Sequence, residues 1–569
     1  MSQDFRVHGT NPAAPFTLTV HRGEGMALLA MNWRSGKPPA NFVGFAIESK
    51  DPGPGTEFEP VPNRLTFAGK PSQTTLDRTS STKAPFQLFR WVHFPHNAEL
   101  KGEFTYRVTP VFMDAAGALT YGPPQEAKIA LARETYPELN VTFTRGFIAS
   151  QAFVDRYAKN AQELKTLLPA DPDQGLEFTP TNPKAADALA WMGFEARSTI
   201  LEVLDGAIAD AKAEVRVIAY DLNEPEIVTR LEQLGARLRA IIDDSAGHAD
   251  ASSPESKSAA RLAAAGSQVK REHMGTLQHN KTIVVQSPTQ NVAVCGSTNM
   301  TWRGLYVQNN HAVVLRSAKA VSLYRAAFDD YWSHGDAPGF AKTASAAWHD
   351  LGVANVSAQV TFSPHAAKQA VLDSVATDIR KTKSSLFYSL AFLYQTPGAI
   401  VKAIEKLQKD DEVFSFGVSD HDVGVLRLAN PSGLVRVVYP ETLGKVLPPP
   451  FKPEQSGGSG VRMHHKFVVI DFDQPDARVY FGSFNFSTAA DRSNGENLTL
   501  VKDRRIATSF MIEAVRIFDH YAFRVARAKA KKDKKPLNLQ RPPRKPGEKP
   551  WWDRFYTDPV KIRDRELFA

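Results

Sequence analysis

The chain has 569 residues, of which 42% are hydrophobic and 23% are charged. This length exceeds what one hydrophobic core accommodates and predicts about three or four domains. Most of the net charge of +8 comes from residues 524–549, where eleven Lys/Arg and two Asp/Glu give a local balance of +9 and leave the rest near −1. A body that is basic throughout is therefore excluded. We favour a solvated linker for this stretch over an arm that binds an anionic membrane surface or nucleic acid.

The sequence has few features that indicate where in the cell the protein is found. No apolar run approaches the ~20 residues that span a bilayer, and the N-terminal MSQDFRVHGTNPAAP lacks the basic and apolar regions of a secretory signal. We expect a cytoplasmic location by default. Cys295 cannot form an internal disulfide and is most simply a small core residue.

Residues from about 16 to 131 have the pattern of short strands separated by turns. Segments such as FTLTV, NFVGFAIE and FTYRVTPVF are rich in β-branched and aromatic residues, and SGKPP and DPGPG separate them. Sustained helical periodicity is absent, which predicts a β-sandwich over residues 1–135. Trp33 at a strand end and Tyr106 near a late strand resemble a fibronectin type III module.

From about residue 149 helical segments alternate with strand-like segments, as in LEVLDGAIADAKAEVRVIAYD, and the same plan recurs from about residue 370. Tyr220 aligns with Tyr388 at a shift of 168, and GSTN aligns with GSFN at a shift of 186. Matching blocks in the same order predict an internal duplication. We predict two α/β lobes, at 149–345 and 350–525, followed by a basic linker and aromatic tail at 526–569, which we expect to dock on the body.

The segments QHNKTIVV and MHHKFVVI align at a shift of 185, and a GSxN motif follows each HxK motif at a nearly equal distance, beginning at Gly296 and Gly482. Side chains alternate along a strand, so His279 shares a face with Lys281, and His464 with Lys466. His465 points the other way and is predicted to pack or to form hydrogen bonds. Two copies of an HxK motif followed by a GSxN motif are a far more specific sequence signal than one copy.

This arrangement resembles the phospholipase D superfamily, whose signature is HxK, four residues, Asp and a downstream GSxN. The resemblance covers about residues 149–524. It implies that the two homologous lobes share one active site across a pseudo-two-fold axis and cleave phosphodiesters through a covalent phosphohistidine, without metal or cofactor. The matching catalytic positions are His279, Lys281, His464, Lys466 and Asp471, and the matching substrate-binding positions are Ser297, Asn299, Ser483 and Asn485.

The residue types suit this chemistry. One neutral imidazole attacks phosphorus, and the other, protonated, donates to the leaving oxygen. Lysine ammonium and asparagine amide groups hold the phosphoryl oxygens. The superfamily precedent makes His279 the nucleophile and His464 the general acid.

The two copies differ at two positions. Gln286 stands where the first copy should have the motif Asp. In the superfamily an acid further downstream usually orients each histidine. Glu496 is the acid at the expected distance from His464, and His311 stands at the same distance from His279. We therefore expect Glu496 to pair with His464 and to favour its imidazolium, while His279 has neutral neighbours.

The predicted function is a metal-independent phosphodiesterase that hydrolyses a phosphatidyl group or transfers it to an alcohol. A nuclease or DNA-end phosphodiesterase is the first alternative, supported by the basic stretch. A binding protein with a degenerate site is the second. His273, Glu272 and His279 match no strong zinc spacing. Because the duplication places both half-sites in one chain, we expect a monomer.

Overall fold

A computed structural model describes residues 5–67, 79–131, 135–158, 160–393, 398–407, 409–410, 412–419, 435–438, 463–534 and 537–569. Among the helices of these ranges, none is both long enough and apolar enough to cross a membrane.

The N-terminal part consists of antiparallel strands, and its described residues up to 131 contain no α-helix. The strands are β1 (Arg6–His8), β2 (Phe16–Arg22), β3 (Ala27–Trp33), β4 (Phe42–Lys50), β5 (Glu59–Pro60), β6 (Pro62–Asn63), β7 (Thr79–Ser80), β8 (Arg90–His93), β9 (Glu103–Met113), β10 (Leu119–Tyr121) and β11 (Gln125–Ala130). One sheet has the order β1-β2-β3-β8, and the other has β10-β9-β4-β5, with β11 also paired to β9. Alternate residues of both sheets share one core, including Phe16, Phe45 and Phe104.

The next part forms a seven-stranded mixed sheet with flanking helices. Its elements are β12 (Leu139–Phe143), α1 (Ser150–Tyr157), α2 (Ala161–Leu164), α3 (Ala185–Ala209), β13 (Glu214–Ala219), α4 (Pro225–Leu234), β14 (Leu238–Ile242), α5 (Pro254–Ala264), β15 (Gln268–Arg271), β16 (Lys281–Gln286), β17 (Asn291–Gly296), β18 (His311–Leu315), α6 (Ala318–Ser333) and α7 (Ala337–Phe340). Local sequence sets the helix starts. The Ser253 hydroxyl accepts from the Ser256 amide and caps α5, whose first residue is Pro254.

The last part forms an eight-stranded sheet and a long helix. Its elements are β19 (His349–Asp350), β20 (Ser357–Ser363), α8 (Leu372–Arg380), β21 (Ser385–Leu390), α9 (Ala399–Leu407), β22 (Phe414–Val418), β23 (Val435–Val438), β24 (Lys466–Ile470), β25 (Arg478–Gly482), α10 (Thr488–Arg492), β26 (Glu496–Lys502), α11 (Arg504–Lys532), α12 (Arg554–Thr557) and α13 (Pro559–Glu566). Helix α11 continues past the predicted boundary at 525, so the basic stretch begins as a helix.

The two mixed sheets have the same topology. The first has the order β12-β18-β17-β16-β13-β14-β15, and the second has β20-β26-β25-β24-β21-β22-β23, with β19 added at its edge. In each sheet the strand after an HxK motif lies near the middle, antiparallel to β13 or β21. Backbone bridges Gln278–Gly495 and Asn309–Met463 connect the two sequence halves beside these motifs. The repeat in sequence is thus also a repeat in strand order.

The aromatic C-terminal tail docks on the body, as predicted. The Trp551 indole donates to the Phe42 carbonyl at 2.9 Å, and Phe555 contacts Phe89 with ring centroids 5.0 Å apart. At the end of the chain, Phe568 stacks on Phe472 of the last sheet. The tail therefore connects the N-terminal module to the C-terminal half of the molecule.

Candidate active site

The structure brings the two HxK motifs together. The imidazole centroids of His279 and His464 lie 6.4 Å apart, with ring planes inclined by 71°. Both rings are buried, with 3% and 4% of each residue exposed. Each histidine lies two positions before the first residue of its strand, β16 or β24. The N-terminal ends of two strands from different sheets therefore lie close together at the site.

The acid that contacts the first histidine comes from the other half of the chain. Glu496 Oε2 lies 3.0 Å from His279 Nδ1. The predicted pairing of Glu496 with His464 is therefore wrong. Glu496 begins β26, and the bridge from Gly495 to Gln278 directs its side chain across the junction between the halves.

His464 has neutral partners in place of a carboxylate. Its Nδ1 lies 2.9 Å from Asn310 Oδ1 and 3.1 Å from the Ser297 carbonyl oxygen. The predicted equivalence of His311 with Glu496 is also wrong by one position, because the shift of 186 that relates the GSxN motifs aligns Asn310 with Glu496.

His311 lies behind the site, beside the second histidine of MHHK. The rings of His311 and His465 stack with centroids 5.6 Å apart and planes 9° apart. His465 Nε2 lies 3.0 Å from Glu513 Oε1 of α11, and His465 is fully buried. The prediction that His465 packs and forms hydrogen bonds is confirmed.

Burial and charge lower the basicity of both central histidines. Burial lowers the pKa of His279, Lys281 lowers it further, and the Glu496 carboxylate acts in the opposite direction. Burial, followed by Lys466 and Lys281, holds the pKa of His464 well below its ordinary value. An anion placed between the rings counteracts these effects, because it favours the charged form of each imidazole.

The two lysines are buried beside their histidines. Lys281 Nζ donates to the His279 carbonyl at 2.6 Å, and Lys466 Nζ donates to the His464 carbonyl at 2.9 Å. Burial lowers the pKa of Lys281 to about 8 and holds that of Lys466 well below its ordinary value. An ammonium has three N–H donors, so two donors of each lysine remain for phosphoryl oxygens.

Parts of this chain are similar to known proteins. The family described as "Cardiolipin synthase, PLD-like domain" matches residues 204–332 and 449–518, which include both HxK motifs. These two ranges are similar to a phospholipase D-like domain. A phospholipase D of Rickettsia prowazekii is 42% identical over 48 residues (8% of this chain and 22% of the relative). A mitochondrial cardiolipin hydrolase of Xenopus tropicalis is 30% identical over 116 residues (19% and 53%). The chain thus spans about a fifth to a half of the length of these relatives.

Two solved structures are similar to parts of this chain. NUC of Salmonella typhimurium, a phospholipase D family member, has 23% identity, covers 25% of this chain and 88% of its own, and gives a TM-score of 0.22. The phosphatidylserine synthase of Haemophilus influenzae has 13% identity, covers 61% and 94%, and gives a TM-score of 0.41.

The serines of the GSxN motifs form hydrogen bonds to residues of their own half of the chain. Ser297 Oγ donates to Asn310 Oδ1 at 2.9 Å, and Ser483 Oγ accepts from the Asn497 amide at 3.0 Å. Both serines are fully buried. Each hydroxyl thus positions a neighbouring residue of its own half, and the predicted contact of these serines with substrate stays a prediction.

The asparagines of the same motifs have different surroundings. The Asn299 amide donates to Asp221 Oδ2, an acceptor that the sequence did not indicate. Asn485 Oδ1 is buried and has no hydrogen-bond partner among the described residues. Both side chains stay candidates for binding the substrate.

Asp471 lies at the far end of β24 from His464 and does not contact it. Its fully buried carboxylate accepts from the backbone amides of Lys383, Ser384 and Ser385 at 3.0, 2.8 and 3.2 Å. Asp471 thus caps the start of β21, and the catalytic role predicted from its place in the motif has no support from a contact with His464. Gln286, its counterpart in the first half, accepts from Arg325 Nη1 at 2.6 Å.

This role predicts a loss of stability in Asp471→Ala. We expect the free energy of unfolding to fall by about 3 kcal/mol, because three buried amides lose their acceptor and each such loss costs about 1–3 kcal/mol. Urea denaturation measures the change. Asp476→Ala is the control, since its side chain is 53% exposed and we expect a change within about 0.5 kcal/mol. Equal losses in the two variants would contradict the capping role.

Beside His279 lies a charged cluster that the sequence analysis missed. Among the described residues, the ligand atoms of Asp221, His248 and Glu255 lie within 4.8 Å of one another, close enough to hold a metal ion. However, His248 Nε2 lies 3.0 Å from Asp221 and Nδ1 lies 2.8 Å from Asp243. Burial lowers the pKa of His248, but these hydrogen bonds outweigh it and raise the pKa to about 10. Both ring nitrogens of His248 thus lie within hydrogen-bond distance of carboxylates, whereas a metal ligand needs a free lone pair.

Proposed function

We propose that this chain is a phosphodiesterase of the phospholipase D type that hydrolyses a phosphatidyl group, or transfers it to an alcohol, through a phosphohistidine. The observation that supports this most strongly is the pair of opposed imidazoles, 6.4 Å apart, with Glu496 behind His279. Hydrogen bonding at Nδ1 leaves Nε2 of each ring as the nitrogen that can reach a phosphorus atom between them.

In the first step His279 Nε2 attacks phosphorus and the bond to the leaving oxygen breaks. His464 Nε2–H gives its proton to that oxygen, so the leaving group departs as an alcohol. The phosphoimidazolium formed on His279 is positively charged, and the Glu496 carboxylate at Nδ1 stabilises it.

In the second step a water molecule or an alcohol attacks the same phosphorus. His464, now neutral, takes the proton of the attacking hydroxyl, and the N–P bond breaks to restore His279. Water gives the phosphate monoester, and an alcohol gives a new diester. Lys281 and Lys466 supply the positive charge around the phosphoryl oxygens that a metal ion supplies in other phosphotransfer enzymes, so the cycle needs no metal.

The substrate class is proposed from two observations. The matching family and both curated relatives are named for phospholipid chemistry. The charge of the chain outside residues 524–549 is near −1, whereas binding of a nucleic acid depends on a basic surface. We propose that one copy of the chain suffices, because both half-sites lie in it. We also propose that the N-terminal module is fibronectin type III-like and serves as a brace, since Trp552 and Phe555 of the tail complete its core.

A substrate panel in EDTA tests the proposal. Phosphatidylcholine and cardiolipin vesicles, with and without ethanol, are compared with supercoiled plasmid. We expect release of phosphatidate, or of phosphatidylethanol when ethanol is present. Plasmid nicking without lipid turnover would favour the nuclease alternative, which the basic residues 524–549 support. If no substrate is turned over and no phosphohistidine is trapped, the chain is instead a binding protein with a degenerate site.

A further inference from the structure

The two half-sites are built on the same plan but differ in the charge of the side chain that contacts each histidine. Glu496 and Asn310 occupy the same position relative to the serine of their own GSxN motif. Glu496 begins β26, and Asn310 directly precedes the matching strand β18. Each crosses to the histidine of the opposite half, at 3.0 Å for Glu496 and 2.9 Å for Asn310. A carboxylate therefore supports His279, and a neutral amide supports His464.

The surroundings of Asn310 fix the orientation of its amide. Its Nδ2 donates to the Gly304 carbonyl at 2.9 Å, while Oδ1 accepts from Ser297 Oγ at 2.9 Å. The second partner of His464 Nδ1 is the Ser297 carbonyl, which can only accept. His464 must therefore carry a hydrogen on Nδ1, which leaves Nε2 as the ring nitrogen that is available to a substrate.

On this basis we propose that Asn310 is a positioning residue whose neutral amide makes His464 the proton donor, while Glu496 makes His279 the nucleophile. This inference rests on the proposed function. An uncharged partner leaves the His464 imidazolium without a counter-charge, so it gives its proton readily to the leaving oxygen. The carboxylate on His279 instead favours the ring that becomes positively charged when it binds phosphorus.

The two lysines do not create this difference. The groups that act on both histidines are the two lysines, and His279 itself also acts on His464. Lys281 and Lys466 occupy equivalent positions, each bonded to the carbonyl of its own histidine. Among the direct hydrogen-bond partners that the described residues offer to the two rings, Glu496 and Asn310 are thus the matched pair that differs in charge.

Four proteins test the inference: the wild type, Asn310→Asp, Glu496→Gln and the double variant that exchanges carboxylate and amide. The pH profile of kcat/KM is measured with bis(p-nitrophenyl) phosphate and with an alkyl diester, and the phosphorylated histidine is mapped by mass spectrometry. Circular dichroism and thermal midpoints report folding.

For Asn310→Asp, the new carboxylate raises the pKa of His464. Because the acid must be protonated, we expect the loss of activity at high pH to move upward by about one pH unit or more. For Glu496→Gln we expect the loss of activity at low pH to move downward and the phosphoenzyme to form about 10²-fold more slowly or less. In the double variant the phosphoryl group should map to His464.

Unshifted profiles in both single variants, or a phosphoryl group that stays on His279 in the double variant, would overturn the inference. If Asn310→Asp fails to fold, Glu496→Gln alone decides: an unchanged low-pH limb and undiminished labelling of His279 overturn it. Absence of any phosphohistidine in the wild type is a different result, because it removes the proposed function itself.

Discussion

His279→Ala is expected to lose turnover of every diester, including one with a good leaving group, by about 10⁴-fold or more. The reason is that in the proposed mechanism His279 Nε2 forms the bond to phosphorus. No phosphoenzyme should form in this variant. Rapid quench with a p-nitrophenyl diester, followed by mapping of the phosphorylated residue, measures both effects.

His464→Ala is expected to behave differently because its proton matters only for a poor leaving group. Nitrophenolate departs without protonation, so a burst of nitrophenolate and a trapped phosphoryl group on His279 should appear. The second step lacks its base, and turnover after the burst should fall by about 10²–10⁴-fold. With an alkyl leaving group the first step should fall by a similar factor.

The control is His334→Ala, an exposed histidine at the end of α6, which should retain wild-type kinetics. The assignment of roles fails if His279→Ala still shows a burst. It also fails if His464→Ala loses the burst with the nitrophenyl diester as completely as His279→Ala does.

The local sequence predicted those features of the structure that depend on strand geometry. The alternation of side chains placed His464 and Lys466 together and separated them from His465, which the structure shows bonded to Glu513 on the opposite side. The identical strand order of the two mixed sheets likewise follows the repeated sequence. Such features depend on period-2 alternation and on chain order, both of which the sequence records directly.

The partner of each histidine depends on the packing between the halves, which spacing along the chain does not record. Glu496 lies at the expected distance after His464 in the sequence, yet the bridge between Gly495 and Gln278 directs it to His279. The sequence signal was present in the shift of 186, which aligns Glu496 with Asn310. The charged cluster around His248 lacked such a signal, because its members come from separate segments of the chain.

Asp471 shows the limit of transferring roles from a motif. The spacing of the signature is correct, but Asp471 directly follows the last position of β24, whose other end carries the histidine pair. A residue at that end contacts the neighbouring strand, and Asp471 accordingly binds three amides at the start of β21. Its place in the signature therefore reflects folding of the strand, and this also explains how Gln286 can replace it in the first half.

The lysines lead to the second large effect, in which stability and activity change in opposite directions. Lys281→Met and Lys466→Met are each expected to lower kcat/KM by about 10²–10³-fold, because a preorganised donor to the phosphoryl oxygens is lost. The same variants should unfold at a temperature a few degrees above that of the wild type. Among the described residues neither ammonium has a carboxylate in direct contact, so its burial destabilises the free protein. Methionine has a similar volume without the charge.

The pH dependence of the free energy of unfolding tests whether burial of the Lys281 ammonium causes the difference in stability. Burial lowers the pKa of Lys281 from 10.5 to about 8, so between these values the unfolded chain holds a proton that the folded chain has released. The free energy of unfolding of the wild type should therefore rise with pH across this window. Lys281→Met should lack this part of the rise, and its stability advantage should be largest below pH 8 and shrink above it. Activity should run the opposite way, since a neutral amine at high pH no longer offsets phosphoryl charge.

Lys409→Met is the matched control, because the Lys409 side chain is 77% exposed and should change neither property. If Lys281→Met is less stable than the wild type at neutral pH, the buried ammonium is held by interactions stronger than its desolvation. Added inorganic phosphate tests whether the Lys281 ammonium destabilises the empty site or is held there by favourable interactions. It should raise the thermal midpoint of the wild type more than that of Lys281→Met, because the anion stabilises the folded state in proportion to its affinity for the site. The buried ammonium groups are least favourable when the site is empty and most favourable when the phosphoryl group of the diester is bound. The site therefore keeps its positive charge for the substrate, as catalysis requires.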